Sequence, residues 1–93
     1  MQSTAIESRQ VGPINGVEFE VRLYTFGVFM CHRYIKDGHA KVEQANVFRD
    51  SDAFFSWLES SNIKHGEAVL QAGLKRCVHD FFAKLRCLRE KES

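Results

Sequence analysis

The chain reads as one α+β domain, a three-stranded antiparallel sheet followed by two antiparallel helices in the order βββαα. Three observations predict it. Strict two-residue alternation of apolar and polar side chains starts at Val17, an Asp37-Gly38 pair separates two strand-like runs, and a helical apolar stripe fills the last third of the chain. With 93 residues, 44% of them hydrophobic, there is enough apolar surface for one modest core and no room for a cleft between two domains.

Residues 1–15 are mostly polar and carry the structure-interrupting pair Gly12-Pro13, so they read as a loose N-terminal arm ahead of a single domain over residues 16–93. The first strand follows at Val17. Val17, Phe19, Val21 and Leu23 point to one side, and Glu18, Glu20, Arg22 and Tyr24 to the other. Thr25-Phe26-Gly27 reads as a three-residue hairpin loop in which Gly27 supplies positive φ. The second strand, Val28 to Lys36, is apolar on both faces through Cys31 and is expected to be central. Asp37-Gly38 then matches a type I′ hairpin turn, which needs φ > 0 at both central residues. The third strand, Lys41 to Phe48, alternates poorly, since Gln44 and Asn46 share a face with Val42 and Phe48. A bulge or an exposed edge accounts for that pattern.

Asp50-Ser51-Asp52 supplies a helix start, and Phe54, Trp57 and Leu58 then fall on one face at i, i+3, i+4 spacing, with Phe55 beside them. Ser60-Ser61-Asn62 ends this helix and Gly66 lies in the linker. From about Glu67 to Glu90, Leu70, Leu74, Cys77, Val78, Phe81, Leu85 and Leu88 make the apolar stripe of a second helix. A short linker between two amphipathic helices predicts an antiparallel pair lying on the sheet.

Thirteen Lys and Arg against twelve acids leave a net charge of +1, so any attraction to nucleic acid or anionic lipid must be local. Cys31, Cys77 and Cys87 form an odd set without a Cys-x-x-Cys pair, which suits a reducing compartment and predicts a cytoplasmic protein. No apolar run approaches the roughly 20 residues that span a bilayer, and the N-terminal residues lack a signal-peptide pattern.

Neither a catalytic nor a metal nor a cofactor motif is expected. Cys31 and His32 are neighbours on opposite faces of a strand, while Cys77 and His79 lie about 200° apart around a helix, so neither pair suits a closed zinc site. Only Cys31 or Cys87 could be exposed enough to act as a nucleophile. Glu18 and Glu20 read as a solvent-facing pair, and Asp50 and Asp52 as a helix cap, rather than as acid–base partners.

Two surfaces could bind. Two helices cover one face of a sheet, so the other presents Glu18, Glu20, Arg22 and Tyr24, with Phe26, Phe29, Cys31 and Tyr34 adding apolar area. It is either a protein-docking surface or a small second core closed by the arm through Ile6, Val11 and Ile14. An exposed strand edge could also pair with a second copy across a two-fold axis, making a homodimer. Alternatively, Lys75, His79, Arg86 and Arg89 gather within roughly 80° on the second helix, with Phe82 at the rim. Cations beside an aromatic can hold phosphate and stack a base, although the same stripe serves equally as the solvated back of a core helix.

At the strand-to-helix junction, Phe48 followed by Phe54, Ser56, Trp57 and Leu58 resembles small type I-F anti-CRISPR proteins, some of which place a three-stranded sheet before two helices. The resemblance implies a stoichiometric inhibitor that binds a bacterial CRISPR surveillance complex and blocks target DNA binding. It transfers no binding residue, because the matching motif is a packing one. The order of elements is also similar to the arm-type DNA-binding domains of phage integrases, which set the sheet against DNA. Two glutamates on the exposed face of the first strand are unfavourable for that use. The expected function is therefore a small non-enzymatic protein-binding module that occludes a partner's functional surface, and the alternative is a nucleic-acid-binding regulator.

Overall fold

A computed structural model describes residues 4–61 and 68–92 of the chain. Its element order is β1 (Glu7–Ile14), β2 (Val17–Tyr24), β3 (Gly27–Lys36), β4 (His39–Phe48), α1 (Ser51–Ser60) and α2 (Ala68–Glu92). The strands form one antiparallel sheet in the order β1-β2-β3-β4. The α+β class stands, but the sheet has four strands rather than three. The expected linker around Gly66 and the helix start at Glu67 lie outside the described residues.

The extra strand comes from the segment read as a loose arm. Asn15 (φ 52°) and Gly16 (φ 79°) form a tight turn with both residues left-handed, folding β1 back along β2. Inward positions of β1 are Glu7, Arg9 and Val11, and two of these three are charged. They are accommodated because α2 supplies opposite charges at this edge: Arg9 meets Asp80 at 3.2 Å and lies over the Phe81 ring at 5.2 Å, and Lys84 meets Glu7. Val11 joins the core under α2, so the arm does not close a second core on the far side of the sheet.

Both later turns are two residues long. Asp37 (φ 54°) and Gly38 (φ 78°) make the expected left-handed pair. At the other turn Tyr24 pairs directly with Gly27, so Gly27 is the first residue of β3 rather than part of a three-residue loop. In β4 the register slips between His32 and Arg33: Gln44 lies opposite His32 while Val42 lies opposite Arg33, which leaves Glu43 as the extra residue of a bulge. Poor alternation in this strand thus reflects both a bulge and a free edge.

The core lies between the sheet and α2. Phe19, Val21, Leu23, Val28 and Met30 from the inner strands meet Leu70, Leu74, Cys77, Val78, Phe81, Phe82 and Leu85, all buried. The main contacts of α2 fall on β1, β2 and β3, and α1 meets the end of β4 at Phe48. Asp50 caps α1 by accepting from the Ala53 amide at 2.9 Å, a bond of the kind that stabilises a helix by about 1 kcal/mol. Phe54 and Trp57 close on Phe48 at ring separations of 5.5 and 5.6 Å, and Leu58 completes the contact with the core. The Cα extents are 47 × 30 × 18 Å, and the shortest leaves room for one helical layer on the sheet.

Candidate functional site

Antiparallel register stacks the side chains of the face away from α2 into three cross-strand rows. Arg22, Phe29 and Val47 form one, Glu20, Cys31 and Ala45 the second, and Glu18, Arg33 and Val42 the third. Val42 owes its place to the bulge, since without the extra residue it would point toward the helices. The three β4 residues in these rows, Val42, Ala45 and Val47, are all apolar. Val42 is 62% exposed and Val47 54%, and the turn residue Phe26, 49% exposed, stacks on Tyr24 at 5.0 Å. An apolar band thus runs along one edge and one end of the face.

Beside this band the charges are mutually satisfied. Glu20 accepts from Arg22 at 3.0 Å and from Arg33, Arg33 also approaches Glu18 at 3.8 Å, and Gln10 donates to Glu18. The Arg22 guanidinium rests 5.7 Å from the Phe29 ring centre. Burial works to raise the Glu20 pKa, but the hydrogen bond from Arg22 and the charges of Arg33 and Arg22 outweigh it and hold the carboxyl below its ordinary value. Glu18 is not solvent-facing as expected: it is only 6% exposed, roofed by Gln10 and Arg33 from the flanking strands. Two carboxylates and two guanidiniums cancel, leaving this face no net pull on phosphate.

Of the residues expected on this surface, Glu18, Glu20, Arg22, Tyr24, Phe26 and Phe29 gather there. Tyr34 does not. It lies on the helix side, with its ring 6.0 Å from the buried His32, because it stands five positions after Phe29 and side chains an odd number of positions apart point to opposite faces of a strand. Sequence reasoning missed Val42, Ala45 and Val47, and the signal for them was the broken alternation of β4.

The cationic stripe on α2 keeps Lys75, His79 and Arg86 exposed, and Arg89 donates to the Arg49 carbonyl at 3.5 Å. Phe82 is 9% exposed and belongs to the core, so the stripe loses its stacking aromatic. On the opposite flank of α2, a groove of about 370 Å³ is lined by Ile6, Leu23, Ala83, Lys84, Cys87 and Leu88.

Cys31 is buried, contrary to expectation, and Cys77 is buried too, whereas Cys87 is exposed. Burial pushes the Cys77 thiol up to about 11. Thiol reagent at pH 8 is therefore expected to modify Cys87 rapidly and the other two only at the rate of unfolding. Fast labelling of two thiols in the folded protein would contradict this burial. A raised folded pKa also gives Cys77 stability that is intact below pH 9, its unfolded value, and lost between pH 9 and about 11.

Compared with known proteins, the chain matches no family model, no curated protein and no solved structure.

Proposed function

We propose that the chain is a non-enzymatic protein-binding module that docks a partner on the sheet face away from α2 and occludes a functional surface of that partner. The observation that carries this reading is the line of exposed apolar side chains Phe26, Val47, Ala45 and Val42 along one end and one edge of this face, flanked by Tyr24 and Phe29. Apolar bands rimmed by polar groups mark interaction sites, since isolated apolar side chains need no partner but continuous ones favour burial. The neutralised Glu18–Arg33–Glu20–Arg22 network beside it supplies a polar rim whose charges are already paired.

Phage-type inhibition of a CRISPR surveillance complex is its most concrete form, resting on the Phe48 to Leu58 junction alone. The fourth strand departs from the three-stranded pattern of that resemblance. Nucleic-acid binding is the weaker reading, because the α2 stripe offers cations without an exposed stacking ring and the sheet face is charge-balanced.

Affinity capture from the native host's lysate, with and without nuclease, tests the proposal. A defined protein partner is expected to survive nuclease. Phe29→Asp combined with Val47→Asp should abolish its capture while circular dichroism stays native, and Tyr34→Asp, on the other face, should leave capture intact. Capture that survives the double substitution would remove the face from consideration. Binding that disappears with nuclease, and weakens steeply with salt, would move the function to the α2 stripe.

A further inference from the structure

We infer that the chain pairs with a second copy of itself along β4, antiparallel and about a two-fold axis at Asn46, joining two four-stranded sheets into one of eight. This extends the proposed function without depending on it, since edge pairing uses backbone groups and leaves the open face free.

The two edges of the sheet are managed differently. At β1 the edge is guarded by inward charges paired to α2, by Pro13, and by a slip in register between Val11 and Ile14. At β4 the bulge and Lys41 protect only the half near the hairpin. From Gln44 to Phe48 the strand is regular and holds no charge, no Pro and no Gly. Gln44 and Val47 are exposed, the main contacts of α2 fall on the other three strands, and α1 meets β4 through the inward ring of Phe48. This stretch is an unprotected template for another strand.

Hydrogen-bond parity selects the register. Tyr24 and Gly27 close a two-residue turn, so they form a hydrogen-bonded pair, and odd-numbered residues of β3 face β2; Ile35 accordingly donates to Gly16. Even-numbered residues of β3 then bond to β4, engaging Asn46 through Met30 and leaving the amides and carbonyls of Ala45 and Val47 directed outward. With the axis at Asn46, Ala45 of each copy exchanges bonds with Val47 of the other.

The same axis faces Asn46 with its own copy. Asn46 Nδ2 is the one buried side-chain donor or acceptor without a partner among the described residues. Side chains of a directly opposed non-hydrogen-bonded pair are neighbours, so each amide, by rotating toward the axis, can donate to the oxygen of the other. The interface is small and rests on backbone bonds, so the dimer is concentration-dependent.

Sedimentation of the full chain is expected to show monomer at low-micromolar and dimer toward millimolar concentration. Ala45→Pro, which removes an outward amide, should hold it monomeric, and monomer at every wild-type concentration would overturn the inference. A dimer that persists in Ala45→Pro would overturn the edge. For the register, in a Cys87→Ser background, Asn46→Cys should form an intermolecular disulfide on mild oxidation. Opposed Cα atoms about 4.5 Å apart are close enough for the bond, whereas Gln44→Cys has Phe48 opposite it. Cross-linking at residue 44 and not at 46 would overturn the axis.

Discussion

Replacing Gly27 by alanine is expected to destabilise the fold by about 3 kcal/mol or more, lowering Tm by about 12 °C or more. Two effects add at this position. Gly27 has φ of 154°, which L side chains rarely adopt, and an added Cβ would stand 2.3 Å from the Phe48 carbonyl oxygen. The obstacle is backbone, so no rotamer change relieves it. Moving the end of β4 away would displace Phe48, against which Phe54 and Trp57 pack, and so loosen α1 as well. Gly38→Ala is the control: its φ is 78°, but nothing lies within 4 Å of the added atom, so only the left-handed penalty of about 1–2 kcal/mol applies. Thermal unfolding followed by circular dichroism separates the two. Equal losses would mean that the close approach of β3 to β4 carries no energetic weight.

How far the sequence led depended on which signal each element carried. β2, the Asp37-Gly38 turn, α1 and α2 were legible because a periodic apolar face or a left-handed turn pair specifies each locally. β1 was not, for a tertiary reason: Glu7 and Arg9 occupy inward positions that alternation reserves for apolar residues, and only Lys84 and Asp80, more than seventy residues away, make them tolerable. Its turn was nonetheless written in Asn15-Gly16, a pair as informative as Asp37-Gly38. The open face was half legible. Glu18, Glu20, Arg22, Tyr24, Phe26 and Phe29 follow from parity, whereas Val42 reaches that face only through an inserted residue that shifts register without changing composition. The burial of Glu18 could not be read locally either, since Gln10 and Arg33 come from two other strands.

Arg33→Met should cost about 2–3 kcal/mol at neutral pH, because it removes the cation shared by two carboxylates on one face while keeping the apolar stem. Complete burial would make the loss larger; here the side chains of Arg33, Glu18 and Glu20 retain 26%, 8% and 19% exposure. The pH dependence identifies the cause. In the wild type the Glu20 carboxyl is held below its unfolded pKa, so its contribution is present above the ordinary carboxylate range and lost as pH falls through the folded value. In Arg33→Met only Arg22 still opposes burial at Glu20, so that contribution is already reduced and acid has less to remove. The gap between variant and wild type in urea unfolding should therefore hold at neutral pH and narrow as pH falls below the ordinary carboxylate range. Adding Glu18→Gln and Glu20→Gln to Arg33→Met should recover much of the loss at pH 7, since neutral amides need no cation. A deficit that stays constant with pH, and is not relieved by the two amides, would leave the charge network without energetic consequence.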